Sequence, residues 1–267
     1  MTLSLYQVDA FTHQLFGGNP AAVCPLTTWL PDALLQQIAA ENNLAETAFY
    51  VKEDDHYALR WFTPTVEVDL CGHATLAAAY VLYELEGYQG DALNFETRSG
   101  RLTVVRQGKR LSMDFPADTL AAAELSAAVR SGLGEVQPTE VRRGRSDYLL
   151  VLANEGELRA LQPDFRRIAD DRSVRAVIVT APADASEVDF VSRCFAPQSG
   201  IDEDPVTGSA HTTLTPYWAK RLGKTQLVAQ QRSPRGGTLY CTHRGERVDI
   251  AGEAVLYLRG EIDVPTQ

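Results

Sequence analysis

A lone acid stands in the apolar segment Asn43-Leu-Ala-Glu46-Thr-Ala-Phe-Tyr-Val51, at the approach to a strand-like run. If Glu46 is buried there, desolvation disfavours its charged form and raises its pKa. A carboxyl tuned in this way can take and return a proton near neutrality. On an edge strand it would simply face water. Two glycines, Gly72 and Gly208, each lead directly into a helical run. Helix N-termini expose unpaired N–H groups at the positive end of the macrodipole, so each can hold an anion such as a carboxylate. The plainer alternative is a tight strand-to-helix turn. His73 follows the first glycine and Ser209 the second. His73 can donate a proton, donate a hydrogen bond to substrate, or be a polar residue of a first helical turn. Asp204, just ahead of Pro205, either orients a catalytic group or substrate amine or caps its turn. Cys71 precedes a helix start, where a thiol pKa falls and the group can act as a base; the alternative is a structural cysteine.

These residues need elements to hold them. Val8–Phe11 and Ala21–Cys24 read as short strands around the turn Phe16-Gly-Gly-Asn-Pro20, which contains Asn19. Pro31-Asp-Ala-Leu-Leu-Gln-Gln-Ile-Ala-Ala-Glu41 opens with proline and spaces Leu34, Leu35, Ile38 and Ala39 as one helical face. Ala48–Val51 and Tyr57–Phe62 are strand-like. The run from His73 to Leu85 is apolar on nearly every side, the pattern of a helix buried all round. Leu93–Thr97, Leu102–Arg106 and Leu111–Phe115 follow as short strands with glycine-containing turns.

The chain repeats itself. Arg60-Trp-Phe-Thr-Pro64, with Asp69 five residues on, recurs as Arg193-Cys-Phe-Ala-Pro197, with Asp202 five residues on, an offset of 133 (193 − 60). Pro31-Asp32 matches Pro163-Asp164 at 132, Gly72-His-Ala-Thr75 matches Gly208-Ser-Ala-His211 at 136, and Arg110–Met113 matches Arg247–Ile250 at 137. The larger offset at the glycines implies three residues inserted ahead of Gly208. The duplication predicts an α+β architecture of two pseudo-symmetric halves, each a mostly antiparallel sheet wrapped around one buried central helix. The halves are set at 1–118 and 119–267, with the last strand open to exchange into the first. Such halves are expected to enclose a cleft suited to a small ligand.

Composition removes other classes. With 267 residues and a formal charge of −10, the chain has neither the basic footprint of nucleic-acid binding nor a basic membrane patch. The first nine residues lack a basic region and reach an acid at Asp9, so no signal peptide is expected. The longest nearly apolar stretch, Ala74–Tyr83, is about half a bilayer span. A soluble, cytoplasmic chain is expected. Four sparse cysteines read as free thiols, and no clustered His/Cys spacing signals a metal. No phosphate-binding loop, dinucleotide fingerprint, nucleophile elbow or HExxH motif is present, so cofactor-free chemistry is expected.

Val8-Asp-Ala-Phe-Thr12, Phe16-Gly-Gly-Asn-Pro-Ala-Ala-Val23, Ala45-Glu-Thr-Ala-Phe49, Arg60-Trp-Phe-Thr-Pro64, Leu70-Cys-Gly-His-Ala-Thr75 and Asp204-Pro-Val-Thr-Gly-Ser-Ala-His211 together resemble the phenazine-biosynthesis isomerase (PhzF-like) family. That family belongs to the diaminopimelate-epimerase fold group, and the likeness covers essentially the whole chain. It implies two pseudo-symmetric domains, no cofactor and a homodimer. It also implies an isomerase that moves a proton between carbons of a small carboxylate-bearing, cyclic or unsaturated metabolite. Glu46 is implied as the general acid/base, assisted by His73 and Asp204, with Asn19, Gly72, Gly208 and Ser209 as substrate-binding residues. The fold group's epimerases use one cysteine from each half. Here the counterpart of Cys71 is Thr207, which argues against epimerisation. A racemase using Cys71, or a binding protein without chemistry, are the alternatives.

Overall fold

Strand β1 (Thr2–Ala10) pairs on both sides in the computed structural model, which describes residues 1–265. One partner is β2 (Asn19–Leu26), antiparallel. Helix α1 (Asp32–Asn42) then crosses to β3 (Glu46–Lys52), parallel to β2. Pro31 immediately precedes α1, and Asn43, in the left-handed region at φ 49°, ends it. All of β3 except Lys52 is buried, as expected of a near-continuous apolar strand. Strand β4 (Tyr57–Phe62) pairs antiparallel with β3 and with the short β5 (Glu67–Val68).

Helix α2 (Gly72–Tyr80) buries every residue from His73 to Ala79 and runs on into a π-helical turn, Val81–Leu85. It packs against β1, β2 and β3. The absence of a polar face in its sequence is therefore explained by enclosure. Strands β6 (Ala92–Thr97), β7 (Gly100–Gln107) and β8 (Arg110–Pro116) form an antiparallel meander.

The second unit begins with the two-residue β9 (Ala121–Ala122) and helix α3 (Ala127–Gly132), followed by β10 (Glu140–Arg143) and β11 (Asp147–Val151). Helices α4 (Glu155–Ala160) and α5 (Phe165–Ala169) lead to β12 (Ala176–Pro182) and β13 (Phe190–Phe195). Asp164 caps α5 by accepting from the backbone of Arg166 and Arg167. Helix α6 (Gly208–Leu222) is this unit's buried helix, and it packs on β11, β14 (Gln226–Gln231) and β15 (Gly237–Arg244). Pro216 inside α6 cannot donate to the Thr212 carbonyl. The Asp118 N–H supplies that bond instead, at 3.1 Å. Strand β16 (Arg247–Gly252) closes the second unit and β17 (Ala254–Asp263) returns to β1.

The chain therefore divides into Met1–Asp114 with the segment from Ala251 onward, and Phe115–Ile250. The segment from Ala251 onward groups with the first unit, the exchange that the 1–118 and 119–267 division left open. The reason is the antiparallel register of β17 on β1, from Thr2 opposite Asp263 to Ala10 opposite Ala254. Among the described residues, no helix is long and apolar enough to cross a membrane.

The repeat has a structural counterpart in its arginines. Arg60 donates to both carboxylate oxygens of Glu67 at 2.7 and 2.8 Å, with its guanidinium 5.1 Å from the Phe62 ring centre. Arg193 does the same to Glu203 at 2.7 and 2.9 Å, 5.0 Å from the Phe195 ring. The acids that pair with these arginines are Glu67 and Glu203, while Asp69 and Asp202 only share the repeat's spacing. Asp69 is 74 % exposed and its contact with Arg98 is a long 3.9 Å. The three extra residues fall between Phe195 and Glu203, where a 3₁₀ turn, Pro197–Ser199, ends on Gly200 at φ 86°.

Gly18 shows how narrowly the loop after β1 is specified. Its φ is 63°, and a Cβ there would run into the Ala10 carbonyl. Gly18→Ala is expected to cost about 2 kcal/mol or more, read as a fall in the urea midpoint, because strain and collision act together.

Candidate active site

Glu46 is the first residue of β3, paired in parallel register with Ala21. It is buried, 9 % exposed, which resolves the sequence alternatives in favour of an enclosed carboxyl. Its Oε2 lies 3.2 Å from Nε2 of His73, in the first turn of α2. Burial pushes the His73 pKa down to about 3, so the ring is neutral at physiological pH. Asn19, the fully buried first residue of β2, places its Nδ2 3.2 Å from His73 Nδ1. An amide N–H donating there puts the single ring hydrogen on Nε2, which lies near Glu46 Oε2 without forming a hydrogen bond to it. Cys71 is the residue before α2, with Sγ 3.5 Å from His73 Nδ1 and its carbonyl accepting from Thr75 Oγ1 at 2.6 Å. Gly72, between them, begins the helix. The first unit thus gathers Glu46, His73, Asn19 and Cys71 around one imidazole.

In the second unit, Asp204 Oδ2 accepts from Thr207 Oγ1 at 2.5 Å, just before α6 starts at Gly208. Asp204 is thereby tied to the turn that launches the helix. Gln231, at the end of β14 and 1 % exposed, clasps the same turn. Its Oε1 accepts from the Thr207 backbone at 2.9 Å, and its Nε2 donates to the Asp204 carbonyl at 2.7 Å. Ser209 Oγ accepts from Arg175 Nη1 at 3.1 Å, while Asp147 holds Arg175 through a two-point pair at 3.1 and 2.5 Å. Gln231, Arg175 and Asp147 carry no sequence signal. They reach the helix start from strands or loops 23 to 62 positions away, measured from Asp147 and Gln231 to Ser209 and Gly208, and none belongs to a repeated motif.

His211 is a further buried imidazole, at the position matching Thr75. Both bond the carbonyl four residues back, His211 through Nδ1 to Thr207 at 2.8 Å. Its Nε2 has no hydrogen-bond partner among the described residues, and burial lowers its pKa from 6.5 to about 4. A folded-state pKa below the unfolded value means the unfolded chain binds the proton first. Stability from this group is full above about pH 6.5 and is lost as pH falls toward 4. Between pH 7.5 and 5.0 the wild type is expected to lose about 2 kcal/mol more than His211→Asn, measured by urea unfolding at both pH values.

The family model described as "Phenazine biosynthesis-like protein" (PhzC-PhzF) matches residues 8–260. An uncharacterized isomerase of Pseudomonas aeruginosa is 53% identical over 262 residues, covering 98% of this chain and 99% of that protein. A crystal structure of a PhzF-family phenazine biosynthesis protein from Enterococcus faecalis superposes with a TM-score of 0.95 at 46% identity, covering 99% of this chain and 100% of that one. A hydroxyproline epimerase from Agrobacterium vitis shares the fold alone, at a TM-score of 0.60 and 11% identity, over 98% of this chain and 92% of its own. The chain belongs to the phenazine biosynthesis-like (PhzC-PhzF) family and is an isomerase of that type.

Proposed function

We propose that the protein moves a proton between carbons of a small carboxylate-bearing, cyclic or unsaturated metabolite, with Glu46 as the single acid/base. The observation that carries this reading is the buried Glu46 carboxylate facing the Nε2 of a neutral, Asn19-held His73 at 3.2 Å. As a carboxylate, Glu46 removes the proton from one carbon. As the resulting acid, it delivers that proton to another carbon on the same face. The neutral His73 ring stands beside the carboxylate and gives up no proton itself. The N–H groups opening α2 at Gly72 suit a substrate carboxylate. Asp204, Gly208 and Ser209 are assigned to the substrate's polar groups, a role supported by family membership and by the ordered turn that holds them.

The test is to incubate the protein with a panel of small unsaturated cyclic amino and carboxylic acids in D₂O and follow deuterium by NMR. Deuterium arriving at a carbon other than the one deprotonated supports the isomerase. Deuterium at the original carbon with inverted configuration overturns it in favour of a racemase. Cys71, 3.5 Å from His73, would be that racemase's base. A ligand that raises the melting temperature without any exchange overturns it in favour of a binding protein.

A further inference from the structure

We propose that Glu46, Cys71 and His73 form a binding site for a thiophilic divalent cation of the zinc class, and that its occupation arrests proton transfer. The second clause rests on the acid/base reading of Glu46; the first does not. One carboxylate oxygen, one sulfur and one imidazole nitrogen from these residues all lie within 4.8 Å of one another. Donors on one tetrahedral ion stand roughly 3.3–3.8 Å apart, given bonds of about 2.0–2.3 Å. His73 can bind one ion through only one nitrogen, so one of two approaches, 3.5 Å from Sγ to Nδ1 or 3.2 Å from Oε2 to Nε2, is already near that spacing. Closing the remainder needs side-chain rotations of about an ångström.

The donor set itself selects the ion. Sulfur and imidazole favour zinc-class metals over magnesium or calcium, which require several oxygens. Three protein ligands leave a fourth position open. As the thiolate–metal bond forms, the Cys71 proton passes to solvent. Cys24, Cys194 and Cys241 are poor competitors, because burial pushes their thiols up to about 12. Sequence spacing conceals the site, since β3 supplies Glu46 from 25 positions before Cys71 (71 − 46). A metal held there ties up the carboxylate that must take the substrate's proton.

The experiment titrates the chelator-treated full-length protein with Co²⁺. A thiolate-to-cobalt absorption band saturating at one ion per chain, bleached by Zn²⁺ and insensitive to millimolar Mg²⁺, is expected. Cys71→Ser should abolish the band, Glu46→Gln and His73→Asn should weaken cobalt affinity at least about 100-fold, and Cys194→Ser should leave the band intact. No band in the wild type, or an undiminished band in Cys71→Ser, overturns the site. With an exchanging substrate, Zn²⁺ should suppress wild-type deuterium incorporation, and Cys71→Ser should lose that sensitivity relative to its own zinc-free rate. Cobalt binding without suppression overturns the arrest alone. If no substrate exchanges, the cobalt spectrum still decides the site, so this failure is distinguishable from failure of the isomerase reading.

Discussion

Glu46→Gln is expected to lower the rate of solvent deuterium entry by 10²–10⁴-fold, the range general acid–base catalysis contributes. The amide has the shape of the carboxyl, so the packing beside His73 is kept. It cannot take a proton from carbon. Because β3 is held by backbone pairing to β2 and β4, the exchange should leave the fold and substrate affinity nearly unchanged. The effect should therefore appear in kcat with KM within a few-fold, at an unaltered melting temperature. Glu46→Asp makes the complementary case. It keeps the acid but withdraws it by one methylene, and misplacement on the ångström scale alone can cost about 10²-fold. Unchanged exchange in Glu46→Gln would remove Glu46 from the chemistry.

Arg193→Met is expected to destabilise the second unit by about 3–5 kcal/mol, the cost of stranding one partner of a buried ion pair. Arg193 and Glu203 are 11% and 12% exposed, so water can replace little of what is lost. The guanidinium also donates to the carbonyls of Leu158 and Leu161, at 3.3 and 2.8 Å, and rests over Phe195. Methionine restores the apolar stem and none of the donors. The double variant with Glu203→Gln should recover part of the loss, because the orphaned charge is gone. Arg60→Met supplies the internal comparison. Its ring contact and carboxylate pair are equivalent, and its extra partner Asp32 is 72% exposed and adds little. Urea midpoints read all three. Glu203 adjoins Asp204, so the Arg193 variant should also loosen the turn that starts α6, seen as faster amide exchange at Thr207.

The first buried helix was legible because the run from His73 to Leu85 is apolar on nearly every side, and the second because Gly208-Ser-Ala-His211 repeats its start. The duplication was legible because Arg60 and Arg193 each sit two residues before a phenylalanine that their guanidinium covers. The acids opposite them, Glu67 and Glu203, are unequally spaced, and sequence spacing cannot reveal that a 3₁₀ turn displaces one loop by three residues. Burial of Glu46 was posed by its apolar neighbours but decided only by the strands on both sides of β3. Asn19 could be named, yet its grip on His73 joins residues 54 positions apart. Gln231 was invisible because a polar side chain at a strand's end looks solvated until the fold encloses it.

The pairing of β1 with β17 fixes an order of events during synthesis. Strand β1 leaves the ribosome with one flank covered by β2 and the other open until residue 254 onward has been made. The second unit, residues 115–250, is contiguous and can complete its pairing before that moment. The unit whose chain emerges first is thus finished last, and its exposed β1 edge is the segment most in need of protection from intermolecular pairing while translation proceeds.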